Sequence, residues 1–257
     1  MEEVTSRDGT TIAFDRIGQG PPVVLVTGAL ADRSDEAPLA EHLAADLTVL
    51  NYERRGRGPS GDTRPYAVER EIEDIAAVIE AAGGAAGLYG SSGGAALSLL
   101  AASAGLPVTR LAMWEPPYLP EDMPAPPADH VERLETMVAE GRRGDAVEYF
   151  LSRVVGMPPE ALAGLRQQPF WAKAETLAHT LGYDSRVLGD YRIPADRAMK
   201  LTVPTLVIAG GADMPFMRDT ATALAEILPE GEARLLDQGH DADPAVLGPV
   251  LKAFFTA

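Results

Sequence analysis

The stretch LYGSSGGAALSLLAASAG (88–105) sets two adjacent serines inside a fence of glycines, between a short apolar run and a helix-forming run of small residues. In Gly90-Ser91-Ser92-Gly93-Gly94 the frame Gly-x-Ser-x-Gly fits only with Ser92 at its centre, and Ser91 becomes the spacer. A chain that passes from strand to helix within one residue forces the central side chain outward on a strained backbone. Glycines two positions to either side let strand and helix approach without Cβ clashes. The start of the helix aims the Gly93 amide toward any negative charge that develops beside Ser92. The frame alone is frequent by chance, so its surroundings must carry the reading.

Working outward, Asp8-Gly9 between extended runs at 3–6 and 11–17 is a hairpin signal and predicts an antiparallel start. Short continuous apolar runs at 23–26, 47–52, 86–89 and 108–114 suit strands buried on both faces. Between them lie stretches with helical spacing. Leu39, Leu43 and Leu47 stand four apart within and after 34–45, and Ile72, Ile75, Val78 and Ile79 line one side of 68–82. Strand alternating with helix predicts a mostly parallel sheet covered on both faces.

At Pro116 the rhythm breaks. PPYLPEDMPAPPAD is followed by helix-like stretches at 130–140, 145–155, 159–167 and 171–181 with no strand among them. An all-helical insertion inside an α/β chain reads as a lid over one end of the sheet. Alternation then resumes with a strand in 203–211, a helix over 217–228, a strand over 233–236 and a closing helix over 244–255. The expected division is a core of 1–115 and 201–257, with 116–200 as the lid.

Composition removes several classes of function. Among 257 residues, 38 are acidic and 22 basic, and the formal charge of −16 opposes a polyanionic partner such as nucleic acid. No cysteine is present, which excludes disulfides, thiolate metal sites and cysteine nucleophiles, and fits a reducing cytoplasm. No run of about 18 apolar residues marks a membrane span, and MEEVTSRDGT lacks the basic and apolar regions of a leader.

A serine hydroxyl needs a base, and the base needs an orienting carboxylate. Of the four histidines, His42 falls in the first helix and His130 and His179 in the lid, where packing roles are expected. His240 follows the last strand in LDQGH, at the sheet edge where sites of such folds gather. Two carboxylates compete to stand behind it. Asp213 follows the strand 205–209 and is preferred because it gives the order Ser, Asp, His; Glu115 ends the preceding strand in AMWE and is the alternative.

Taken together, Val26-Thr27-Gly28-Ala29, Arg55-Gly56-Arg57-Gly58-Pro59-Ser60, the turn at Ser92, Asp213 and His240 make the chain resemble the α/β-hydrolase superfamily along nearly its whole length. That resemblance implies an α/β-hydrolase fold: a mostly parallel sheet of about eight strands, an antiparallel start, and a helical lid after the sixth strand. It also implies Ser92 as nucleophile, His240 as general base and acid, Asp213 or Glu115 as orienting acid, and the Ala29 and Gly93 amides as oxyanion hole. The activity it implies is cofactor-free and metal-free cleavage of an ester, lactone or thioester through an acyl-enzyme, and the apolar lid helices point to a small hydrophobic substrate. Two features depart from common family patterns. Thr27-Gly28 stands where many relatives carry His-Gly, and Ser91 is smaller than the residue frequent before the nucleophile.

Two rival readings follow from the same residues. Gly56-Arg57-Gly58-Pro59-Ser60-Gly61 spells a dinucleotide-binding pattern, but DTRP intervenes before the next helix, so a plain connecting loop suffices. A ligand-binding protein or a non-hydrolytic, cofactor-free enzyme on the same scaffold is the other, because a fold does not dictate its reaction. Phe170, Trp171, Tyr149 and Met157 are candidate pocket residues of the lid, with apolar packing as the plainer alternative.

Overall fold

The computed structural model describes every residue of the chain except Asp213. Among the described residues eight strands form one sheet in the order β1-β2-β4-β3-β5-β6-β7-β8. The strands are β1 (Glu2–Thr5), β2 (Thr11–Ile17), β3 (Pro22–Val26), β4 (Thr48–Tyr52), β5 (Ala86–Ser91), β6 (Val108–Trp114), β7 (Thr205–Ala209) and β8 (Gly231–Leu235). β2 runs antiparallel to both β1 and β4, and every later pairing is parallel.

The apolar runs are buried on both faces because each of β3 to β7 feeds two cores. Val23 and Leu25 of β3 join Ala112 and Trp114 of β6 under the helices α1 (Ala37–Leu43) and α11 (Pro244–Phe255). Their neighbours Val24, Val26, Leu111 and Met113 point the other way, onto α2 (Val68–Ala81), α3 (Gly93–Ser103) and α10 (Phe216–Ile227). Successive side chains on a strand alternate faces, so continuous hydrophobicity is what a doubly covered sheet requires.

Between β6 and β7 the chain is helical throughout its regular structure: α4 (His130–Ala139), α5 (Arg143–Tyr149), α6 (Pro159–Leu165), α7 (Pro169–Leu177), α8 (Leu181–Leu188) and α9 (Ala195–Ala198). The helix expected over 145–155 divides into α5 and a wider-wound turn at Phe150–Val154. The one expected over 171–181 ends at Leu177 and passes through a tight turn into α8, which hydrophobic spacing does not show. The reason lies in what α8 buries: Gly182, Tyr183, Asp184 and Ser185 are inside alongside Leu181, Val187 and Leu188, so polar side chains interrupt its apolar face. Among the described residues no helix is long and apolar enough to cross a membrane.

Candidate active site

The parallel strands end together on one edge, and among the described residues three of those ends carry left-handed backbone on residues other than glycine. Leu30 beyond β3 has φ 56°, Ser92 beyond β5 has φ 51°, and Glu115 beyond β6 has φ 44°. Such conformations cost a non-glycine residue free energy and persist only where the surroundings enforce them. At Ser92 the enforcement is visible. A Cβ on Gly90 would collide with the backbone of Gly94 and Ala95, and a Cβ on Gly94 would collide with the Val26 and Thr27 carbonyls. The two framing glycines therefore permit the contact that bends the chain. Ser92 enters α3 with φ 51° and ψ −121°, the strained turn expected from the sequence.

Trp114 and its neighbour organise the other groups around this turn. The Trp114 carbonyl accepts the Ser92 amide at 2.8 Å, and the Trp114 indole donates to the His240 carbonyl, also at 2.8 Å. The next residue, Glu115, is buried, and its Oε2 lies 2.6 Å from His240 Nδ1. Its Oε1 accepts the amides of Gly210 and Gly211 at 3.0 and 2.9 Å. Burial alone would push this carboxyl up, but the His240 contact and the two amides outweigh it and hold Glu115 below the usual range for a glutamate. A glutamate is long enough to reach from the end of β6 to the turn beyond β7 and still meet the histidine. Asp213, the carboxylate preferred from the sequence, lies outside the described residues.

The loop after β3 runs alongside the turn. A Cβ at Gly28 would stand 3.0 Å from the Ser92 Cβ, so Gly28 sits flush against the serine. The Ala29 amide nitrogen lies 3.8 Å from where a Gly93 Cβ would stand, so the loop after β3 passes beside the start of α3. Further along the loop Glu36 accepts a hydrogen bond from Ser91 Oγ at 2.6 Å. Burial raises Glu36 to about 7; the Ser91 bond opposes that shift, the Asp35 charge adds to it and His240 opposes it. Sequence reading missed Glu36 because nothing local distinguishes it from its acidic neighbours.

The remaining histidines are structural. His42 packs against Gly248 between α1 and α11, His130 bonds the Pro127 carbonyl and meets Tyr191 edge-on, and His179 reaches the Gly56 carbonyl at 2.7 Å. Tyr149, Met157, Phe170 and Trp171 pack onto the main apolar core from the insertion, and the Trp171 indole donates to Glu175. The glycine-rich 56–61 segment is a closed turn, with the Gly56 amide on the Gly61 carbonyl at 2.9 Å, and its flanking arginines point inward. Among the described residues no group of three or more acidic or histidine side chains is arranged to hold a metal ion.

This edge, with a serine on a strained strand-to-helix turn and a histidine–carboxylate pair beside it, defines the class. A profile of the alpha/beta hydrolase family matches residues 23–247, and the chain belongs to that family. It is 54% identical to an alpha/beta hydrolase from Sphaerobacter thermophilus, with a TM-score of 0.93 over 99% of this chain and 100% of that one. Two more distant structures share the fold. An esterase from Thermogutta terrifontis is 23% identical, TM-score 0.76, covering 99% of this chain and 97% of its own. An enol-lactonase from Burkholderia xenovorans is 21% identical, TM-score 0.75, covering all of both chains.

Proposed function

We propose that this chain is a serine hydrolase that cleaves a carboxylic ester-type bond, with Ser92 as nucleophile, His240 as base and Glu115 as the acid behind it. Family membership supports the reaction class, and the Glu115–His240 pair next to the left-handed turn at Ser92 is the observation that carries the assignment. With Nδ1 engaged by an ionised Glu115, the imidazole presents Nε2 as its basic nitrogen. Ser92 Oγ adds to the carbonyl carbon and gives its proton to Nε2. The oxyanion is held by the Ala29 and Gly93 amides, and collapse expels the leaving group with that proton. Water then repeats the sequence on the acyl-enzyme and releases the acid.

In this reading the helical segment 116–200 is a lid over the strand ends, and the substrate is a small hydrophobic ester or lactone, the classes named for the two distant relatives. A cytoplasmic setting rests on the cysteine-free composition. The test is a fluorophosphonate probe read by intact mass. One adduct is expected on the wild type and none on Ser92→Ala; an unlabelled wild type, or equal ester turnover by the mutant, overturns the proposal. Glu115→Gln should lower kcat on p-nitrophenyl butyrate by roughly 10³–10⁴-fold, the scale of losing an orienting carboxylate. A loss below about tenfold would return the role to Asp213.

A further inference from the structure

Away from the reacting groups, the core holds an arginine pair completed by the insertion. Arg54 and Arg57, both about 1% exposed, follow β4. Arg54 makes a two-pronged bond to Glu71 of α2, 2.7 Å on each prong, and its Nη1 reaches Asp184 Oδ1 at 2.6 Å. Arg57 Nη2 donates to both oxygens of the same Asp184, at 3.0 and 2.9 Å. Asp184 stands on α8, is itself 1% exposed, and comes 3.7 Å from where a Gly93 Cβ would be.

The other terminal nitrogen of Arg57 works on the loop after β3. Nη1 donates to the Gly28 carbonyl at 2.5 Å and to the Ala31 carbonyl at 2.7 Å, with a longer contact to Thr27 Oγ1 at 3.4 Å. The Gly28 carbonyl belongs to the same peptide unit as the Ala29 amide. In a planar trans peptide the C=O and N–H point in opposite directions, so fixing the oxygen aims the N–H. A cation on the oxygen also polarises the unit and makes its N–H a stronger donor.

We infer that Arg57 orients and polarises the Gly28–Ala29 peptide as an oxyanion donor, and that Asp184 from the insertion is the positioning residue that holds Arg57 to this task. The inference rests on the serine-hydrolase reading of Ser92 and adds to it a role for the insertion other than covering substrate. Among the described residues Asp184 is the carboxylate that Arg57 hydrogen-bonds, while Glu71 is taken up by Arg54 and Tyr66. Without it, two guanidiniums would face each other across the loop, and the Arg57 fork would lose the anchor on its far edge.

The experiment compares wild type, Asp184→Asn and Arg57→Lys in the full chain. Three quantities are read: melting temperature, the second-order rate of Ser92 phosphonylation by a fluorophosphonate, and the protection constant of 1,1,1-trifluorohexan-2-one against that labelling. The ketone forms an oxyanionic hemiketal on the serine, so both chemical readouts need no known substrate. In folded variants, labelling should slow by on the order of 10–100-fold and ketone protection should weaken by the same factor, a part of the loss seen when an oxyanion donor is deleted. A purely structural role would lower the melting temperature and leave both chemical readouts of the folded protein unchanged, and that result overturns the inference. So does loss of the fold in both variants. If the wild type itself is unlabelled, the serine-hydrolase reading falls first; a labelled wild type with unaffected variants defeats only the role of Arg57 and Asp184.

Discussion

Two of the attachments between the insertion and the core beside the site are chemically opposite. On the α8 side Asp184 is buried between two buried arginines, and Tyr183 stacks on Tyr66 with ring centres 3.9 Å apart while its hydroxyl reaches Asp62. On the α7 side a single lysine, Lys173, reaches Asp32 at 3.1 Å and Asp35 at 2.6 Å, and Asp35 is 46% exposed. Water competes for the second set and is excluded from the first. Unpairing a buried charge leaves it uncompensated, whereas an exposed pair is replaced by hydration and screened by salt. The α8 attachment is therefore the harder of the two to break, and the α7 attachment the easier.

The strongest way to break this comparison is Asp184→Ala, expected to cost roughly 3–5 kcal/mol in chemical denaturation because Arg54 and Arg57 lose their shared carboxylate. A loss under about 1 kcal/mol would mean that the arginines find water or other partners, and the two attachments would no longer differ in kind. A smaller effect concerns Glu36, on the loop that Lys173 holds. Its carboxyl keeps a proton to about pH 7 in the folded chain, against an ordinary value of 4.5. The folded state thus binds a proton that the unfolded chain has released, a contribution fully present below about pH 4.5 and lost as pH rises to about 7. Melting temperature should fall across that window, and Glu36→Gln should flatten the slope; an identical slope in the variant removes Glu36 as its source. The smallest effect is Lys173→Ala. It should cost under about 1 kcal/mol and nothing measurable at molar salt, where the Debye length shrinks to about 3 Å. A salt-independent loss matching that of Asp184→Ala would erase the distinction.

Legibility in the sequence followed the same divide between local and distant. The runs feeding β3 to β7, the hairpin at Asp8-Gly9 and the closing α11 were readable because strand and helix periods are local properties. The strained turn at Ser92 was readable because it is dictated by glycines two residues away, and the position of His240 was readable because it follows the last strand. The carboxylate behind His240 stayed open between Asp213 and Glu115, since both end strands at the same edge. Helix α8 escaped notice because it buries Tyr183, Asp184 and Ser185, residues that break an apolar stripe.

By itself, then, the sequence determined the alternating architecture, the helical interruption after β6 and the strained turn at Ser92, each encoded within a window of a few residues. Only the tertiary structure decided that Glu115 meets His240 across 125 positions and that Asp184 meets Arg54 across 130. A charged side chain looks alike in sequence whether it ends in water or in a core. What separates the two outcomes is desolvation, which arises when remote segments pack together and which no local pattern records.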